Sequence, residues 1–182
     1  MIRKLTYILA VFVLMLPVTV LVAAQVGETL PHDLALKDKN GEVQSFETLS
    51  GEKGVVLVFV RSADWCPYCQ VQLLGLKDGG QAIEELGYKI VSVSYDAPDV
   101  LKTFADKYGF PYVMLSDVGS VAIKDFDILN ETFEPDHFAY GVPHPYVYVI
   151  GKNKYIQAVL NEEGYKKRPQ VEAIVETIEA LN

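Results

Sequence analysis

The sequence predicts an α/β sandwich, in which helices cover both faces of a mixed central sheet. The first indication is the apolar run Val55 to Val60, which lacks alternation and is therefore typical of a strand buried on both faces. The second is the succession of strand and helix patterns over residues 88–126. The third is a hairpin pattern followed by a helix at the C-terminal end, which adds antiparallel strands to the sheet.

The first elements precede and follow the buried strand. Residues 27–49 predict a β-hairpin, because short alternating stretches flank the turn signal Lys39-Asn40-Gly41. After the strand Val55 to Val60, a helix is expected from Pro67, since proline is favoured at the first helical position. Gly79-Gly80 should kink or end that helix, and Ile83 to Leu86 continue in a helical pattern.

The middle of the chain repeats the strand and helix pattern. Tyr88 to Ser94 predicts a second central strand, and Asp96 is expected to cap a helix that runs to Tyr108 and stops at Gly109. Tyr112 to Leu115 predicts a third strand, and Val118 to Phe126 a short helix.

The C-terminal part predicts a hairpin and one more helix. Pro145 to Ile150 and Tyr155 to Leu160 read as strands around a turn at 151–153. Pro169 opens the last helix, whose inward positions are expected to be Val171, Ile174, Val175, Ile178 and Leu181.

The N-terminus predicts export. Arg3 and Lys4 precede an apolar run over 5–24, and small residues up to Ala24 offer a cleavage site before Gln25. We therefore expect residues 1–24 to be a signal peptide and 25–182 a single domain, placed in the periplasm or otherwise outside the cytoplasm. The run is also long enough to remain as a membrane anchor. Residues 1–24 hold two of the 16 basic residues and none of the 24 acidic ones, so the remainder has a formal charge of −10, which argues against nucleic acid as a partner.

The chemistry is indicated by Cys66-Pro67-Tyr68-Cys69, which holds the only two cysteines and is preceded by Trp65. A helix N-terminus presents free N–H groups and partial positive charge, which favour the nucleophilic thiolate. A purely structural disulfide is a weaker interpretation, because a bridge across so short a loop constrains the unfolded chain little. Half of a zinc site is also weaker, because no second cysteine pair exists.

This motif after an apolar strand resembles a thioredoxin-fold active site. The segment Val26 to Pro31, Leu115-Ser116-Asp117, and Tyr165 with Arg168-Pro169 make the chain similar to the redoxin branch, the alkyl hydroperoxide reductase/thiol-specific antioxidant (peroxiredoxin-like) family. The resemblance implies a thioredoxin-like three-layer sandwich with an N-terminal hairpin. It also implies a cis-proline at Pro145, with His144 beside Cys66.

The sequence departs from the peroxiredoxin pattern where that family places a Thr or Ser and a Pro before its reactive cysteine. Ala63 and Phe59 occupy those positions, and no arginine stands just before Pro145. Thiol–disulfide exchange is therefore the preferred expectation: Cys66 attacks a partner disulfide and Cys69 resolves the mixed disulfide. The expected substrate-binding residues are Trp65, Pro67, Tyr68, His144 and Pro145.

The expected partners are protein disulfides or dithiols and a membrane-bound thiol donor, with no cofactor. The first alternative is a thiol peroxidase, in which Cys66 is oxidised to a sulfenic acid that Cys69 condenses with. The second is a Cu(I)-handling module that uses Cys66, Cys69 and His144. Residues 127–144 form a long connection that either packs its aromatic side chains on the sheet or covers the active site.

Overall fold

A computed structural model describes residues 23–181. The expected signal sequence lies almost wholly outside the described residues. Six strands form one sheet: β1 Lys37–Asp38, β2 Gly54–Phe59, β3 Tyr88–Ser94, β4 Val113–Ser116, β5 Tyr146–Gly151 and β6 Ile156–Leu160. Six helices accompany it: α1 Phe46–Leu49, α2 Pro67–Gly79, α3 Gln81–Glu85, α4 Pro98–Tyr108, α5 Val121–Asp125 and α6 Val171–Glu179.

The sheet is mixed, with the strand order β1-β4-β3-β2-β5-β6. Strands β2, β3 and β4 run parallel, whereas β1, β5 and β6 pair with their neighbours in antiparallel fashion. Every residue of β2 is buried, as its unbroken apolar pattern predicts for the strand at the centre. The carboxyl ends of β2 and β3 meet at one edge of the sheet, and the segments that leave these ends build the candidate site.

Side chains alternate along β2 between two hydrophobic cores. Val56 and Val58 face the core formed with α2, α3, α4 and α6, whereas Val55, Leu57 and Phe59 face the core formed with α1 and α5. Helices therefore cover both faces of the sheet, and the predicted α/β thioredoxin-like sandwich is confirmed.

The expected N-terminal hairpin is reduced to a small arm. Lys37 forms an isolated bridge with Val43 around the predicted turn, and β1 pairs with β4, so that β1 becomes an edge of the sheet rather than part of a longer hairpin. Phe46 lies in the range 27–49 that predicted a hairpin, but it starts α1. Ser45 caps this helix, and the Thr48 side chain accepts in return from the Ser45 N–H.

Three local predictions are wrong. Ala97, not Asp96, occupies the cap position of α4, because Pro98 takes the first helical position. Pro145 is not cis, since no peptide bond within 23–181 is cis. Leu181 follows the end of α6 and is exposed, whereas Ile174 and Ile178 are buried as expected.

Candidate active site

Cys66 occupies the N-cap of α2, one short connection after the central strand β2. Its sulfur accepts a hydrogen bond from the Cys69 N–H at 3.3 Å, and Pro67 fills the first helical position, where a missing N–H costs nothing. The two cysteines form a disulfide across the first turn, with their Cα atoms 5.3 Å apart. Cys66 is only 2% exposed and Cys69 is fully buried. The predicted redox pair is thus assembled at a helix N-terminus.

A buried carboxylate holds the connection that leads to Cys66. Asp96 follows β3, and its oxygens accept hydrogen bonds from Ala63 N–H at 2.7 Å, Ser62 Oγ at 2.9 Å and Ser94 Oγ at 2.8 Å. Burial is the main influence on this carboxyl group and raises the pKa of Asp96, although the three hydrogen bonds act in the opposite direction. Asp96 therefore fixes the backbone three residues before the reactive sulfur.

Sequence reasoning missed this role, because a polar residue two positions before a proline looked like a helix cap. A usable signal existed: parallel neighbouring strands end at the same edge of a sheet. A carboxylate after the second strand is therefore placed to meet the loop that follows the first.

Arg168 brings a positive charge to the disulfide. Its Nη2 lies 3.6 Å from the Cys69 sulfur, while Nη1 donates to the carbonyl oxygens of Lys167, at 2.8 Å, and Tyr165. Burial, and secondarily the charge of Arg61, lower the pKa of Arg168 to about 10, so it stays protonated at neutral pH. The sequence contained this arginine, but its position 99 residues from Cys69 gave no sign of the contact.

Aromatic side chains from two loops surround Trp65. Its Nε1 donates to the Tyr95 hydroxyl at 3.0 Å, and that hydroxyl donates to the Phe138 carbonyl oxygen at 2.9 Å. The Phe138 ring stands edge-on to Trp65 at 5.1 Å. The 127–144 connection therefore covers the residue next to Cys66, and this part of it does not simply pack on the sheet.

The side chain between the cysteines is directed toward solvent. Tyr68 is 40% exposed and stands edge-on to Tyr165 at 6.1 Å. A groove of about 530 Å³ runs beside it and is also lined by Gln72 and Lys167. Arg168, whose guanidinium contacts the Cys69 sulfur, also lines this groove.

His144 and Pro145 lie at the entrance to β5. They line a cavity of about 290 Å³ together with Glu162 and Gly164. The N–H of His144, a predicted substrate-binding residue, donates to the Ile128 carbonyl oxygen at 2.7 Å, so this group is already paired within the protein. Loss of hydration and, secondarily, the charge of Arg61 lower the pKa of His144.

Nothing in the described part of the chain supports the copper alternative. Within residues 23–181, no three His, Cys, Asp or Glu side chains are grouped so as to hold a metal ion. The two sulfurs are bonded to each other, and His144 is not grouped with them. In the same range no helix is both long enough and apolar enough to cross a membrane.

The fold and the site together define a thioredoxin-like redox protein, and comparison with known proteins narrows the class. Residues 26–159 match the AhpC/TSA family. The chain therefore belongs to the AhpC/TSA family and is an oxidoreductase. This confirms the resemblance drawn from the sequence.

Relatives of known name agree with this assignment. The chain is 26% identical to chloroplastic peroxiredoxin Q of Sedum lineare over 83% of its own length and 76% of the relative. It is 31% identical to chloroplastic peroxiredoxin Q of Arabidopsis thaliana over 75% of its length and 59% of that protein. It thus spans well under two thirds of the Arabidopsis protein.

Solved structures show the same fold. Peroxidoxin BcpB of Mycobacterium tuberculosis superposes with a TM-score of 0.74 at 22% identity, covering 86% of this chain and 97% of the other. A thiol peroxidase of Chromobacterium violaceum superposes with a TM-score of 0.71 at 18% identity, covering 87% of each chain.

Proposed function

We propose that this protein is a thiol-dependent peroxidase that uses Cys66 and Cys69 in turn. The Cys66 thiolate attacks the terminal oxygen of a hydroperoxide, the O–O bond breaks, and an alcohol or water leaves with one proton. Cys66 is then a sulfenic acid, which the Cys69 thiol attacks to give the disulfide and water. Two thiols of an external donor reduce the disulfide and complete the cycle.

The observation that carries the proposal is the position of Arg168 against the buried sulfurs at the start of α2. Two groups favour negative charge on the sulfurs. One is the Arg168 guanidinium, 3.6 Å from the Cys69 sulfur, and the other is the Cys69 N–H, which donates a hydrogen bond to the Cys66 sulfur. Negative charge is present there as the thiolate, and more develops on the leaving oxygen during attack. The peroxidase chemistry needs both charges stabilised together.

Burial favours a small oxidant. Cys66 is 2% exposed, and a protein disulfide must bring two bulky chains in line with the attacking sulfur. A hydroperoxide needs room for only two oxygen atoms at that point. The sequence-based preference for protein disulfides as the first substrate thus receives less support than its peroxidase alternative.

The spacing of the cysteines allows the second step without unfolding. Both sulfurs lie on the first turn of α2, and the disulfide is closed while the helix keeps its bounds from Pro67 to Gly79. The sulfenic acid can thus be resolved within the folded protein.

Thiol–disulfide exchange remains the second half of the proposed cycle. Tyr68, between the cysteines, and Tyr165 are 40% and 45% exposed and stand edge-on to each other, so they offer a contact surface for the thiol donor. The membrane-bound donor predicted from the sequence is compatible with this surface and stays a prediction.

Steady-state turnover tests the function. We expect wild-type protein with dithiothreitol to consume hydrogen peroxide with a kcat/KM of about 10⁴ M⁻¹ s⁻¹ or more. Cys66→Ser should abolish consumption, and reduced Cys69→Ser should consume one equivalent of peroxide when no dithiothreitol is present. Insulin reduction is measured in parallel. Rapid insulin reduction without peroxide turnover would reject the peroxidase and restore the exchange enzyme.

We further propose, from residues 1–24 alone, that the chain is exported and cleaved before Gln25. N-terminal sequencing of the protein made in its native cell tests this. A mature chain that begins at Gln25 supports cleavage, whereas an intact leader in the membrane fraction supports the anchor.

A further inference from the structure

Arg61 lies beside the active site in a cage of aromatic rings. Its guanidinium carbon is 5.1 Å from the centre of the Trp65 ring, 5.4 Å from that of Phe133 and 4.8 Å from that of Tyr165. These rings come from the Cys66 loop, the 127–144 connection and the segment before α6. The faces of aromatic rings attract a cation but leave its N–H groups without acceptors.

Arg61 has no hydrogen-bond partner among the described residues for its buried Nε atom. The residue is only 7% exposed, and its Nε is sealed from solvent without a hydrogen-bond partner. In the part of the chain that the structure describes, no hydrogen bond or ion pair joins its guanidinium to another residue. A buried charged group without a partner is strongly disfavoured unless another group supplies the missing interaction.

A second arginine increases the excess of positive charge. Arg168 is 6% exposed, has no carboxylate partner among residues 23–181, and is close enough to Arg61 for the two charges to repel. In the reduced protein, the Cys66 thiolate compensates one of these two cations. Neither guanidinium forms an ion pair with a carboxylate among residues 23–181, although the Asp96 carboxylate bonds to Ser62 and Ala63 directly after Arg61.

We propose that Arg61 is a specificity-determining residue that binds a carboxylate carried by a small substrate of the Cys66–Cys69 couple. A planar guanidinium presents its N–H groups in a fork that matches a carboxylate, and three rings lie about this one. The carboxylate belongs either to the thiol that reduces the disulfide or to the hydroperoxide that oxidises Cys66. The inference thus rests on the proposed function and adds a substrate class to it.

The chemical steps are those of the cycle above. In the reductive half, the thiolate of a carboxylate-bearing thiol attacks the disulfide and releases one cysteine thiolate. A second molecule of that thiol attacks the resulting mixed disulfide and leaves as the symmetric disulfide, while both cysteines become reduced. In the oxidative half, Arg61 holds the carboxylate while the O–O bond breaks at Cys66.

The reductive arm of the test compares 3-mercaptopropionate with its methyl ester as reductants of the oxidised protein. Rates are divided by the thiolate fraction of each reagent and by its thiolate rate with a small free disulfide, which removes the difference in nucleophilicity between the two reagents. The oxidative arm compares 4-carboxycumene hydroperoxide with cumene hydroperoxide. We expect the anion to react about tenfold faster than its neutral partner in at least one arm, the effect of one charge-assisted hydrogen bond.

Two variants assign this preference. Arg61→Gln should bring the ratio of anion to neutral rates close to one. Lys152→Gln should keep the ratio, because Lys152 is an exposed cation in the turn after β5, at the end of the sheet where β2 begins. Should Arg61→Gln not fold, benzoate is added to wild-type protein instead, where it should compete with the anionic reagents and leave the neutral ones unaffected.

The arm that shows the preference identifies whether the thiol or the hydroperoxide carries the carboxylate. Ratios below twofold in both arms, or a ratio that survives in Arg61→Gln, would overturn the inference and leave Arg61 as a packing residue. A wild-type protein that prefers the anionic thiol but does not reduce hydrogen peroxide would keep the carboxylate site and reject the peroxidase. Normal turnover of hydrogen peroxide without any preference for the anionic reagents would keep the peroxidase and reject the carboxylate site.

Discussion

Replacing Arg168 by methionine removes a cation from the sulfurs while it keeps a side chain of similar length. The Nη2 atom is 3.6 Å from the Cys69 sulfur, and the Cys66 sulfur is one S–S bond of about 2 Å further at most. Two unit charges about 5.7 Å apart interact by about 3 kcal/mol at an effective dielectric constant of 20. Arg168 is buried, so water screens this interaction little.

That energy corresponds to about a hundredfold change in an equilibrium constant. We therefore expect Arg168→Met to lower the thiolate fraction of Cys66 by up to about a hundredfold at a pH below its ionisation range. The assay uses the Cys69→Ser background and follows thiolate absorbance and iodoacetamide alkylation against pH. Arg168→Lys should keep most of the effect of the charge.

Lys152→Met is the matched control, because it removes an exposed cation at the opposite end of the sheet. It should leave the titration of Cys66 unchanged. An alkylation profile of Arg168→Met within twofold of wild type at every pH would refute the reasoning. The guanidinium would then neighbour the sulfurs without acting on them.

Three other predictions follow from the fold and the site. After one equivalent of peroxide, Cys69→Ser should carry Cys66 as a sulfenic acid, seen by mass spectrometry as one added oxygen that wild type lacks. Gly54→Ala should lower the free energy of unfolding, measured in urea, by about 2 kcal/mol or more, because the new Cβ would overlap a β5 carbonyl oxygen. Gly75→Ala in α2 meets no neighbour and should raise the free energy of unfolding by about 0.5–1 kcal/mol. Equal effects of the two substitutions would contradict the packing. Burial raises the pKa of Asp96 in the folded protein above 3.8. The contribution of Asp96 to the free energy of unfolding is therefore fully present below pH 3.8 and is lost as the pH rises through the pKa of the folded state. The difference in free energy of unfolding between wild type and Asp96→Asn should fall over that pH range, and a constant difference would contradict the raised pKa.

The regular elements could be predicted because their patterns are local. The structure shows both predicted ends of the strand Tyr88–Ser94, and it shows the predicted first residue, Pro67, of the helix α2. The apolar run of β2 identified the centre of the sheet, since burial on both faces leaves no alternation. Shifts at other elements amount to one to a few residues, which is where terminal hydrogen bonds decide the bounds.

The N-terminal arm could be predicted only in part, because tertiary contacts override its alternation. Lys37 and Asp38 pair with Ser116 and Leu115 of β4, and only Lys37 also forms a bridge to Val43. Helix α1 begins at Phe46 and buries the side chains of Phe46 and Leu49 in the core against the sheet.

The reactive pair could be read from the sequence, but its surroundings could not. The spacing of Cys66 and Cys69 and the proline between them identify the pair in the sequence. Asp96 contacts Ala63, 33 residues away in the sequence, and Arg168 contacts Cys69, 99 residues away. The first contact depends on the order of the strands in the sheet and the second on the path of the last loop. Arg61 is one of three arginines in the sequence, and its aromatic cage forms only when three segments meet.

The central claim is that the fold makes Cys66 a peroxide-reactive thiolate that Cys69 then captures. Rapid mixing of reduced protein with hydrogen peroxide measures this directly, because Trp65, the single tryptophan, adjoins Cys66 and reports its oxidation by fluorescence. The account predicts a fast second-order phase that ends in the Cys66–Cys69 disulfide and that vanishes in urea-unfolded protein at the same pH. Oxidation of the folded protein no faster than that of the unfolded chain would contradict it.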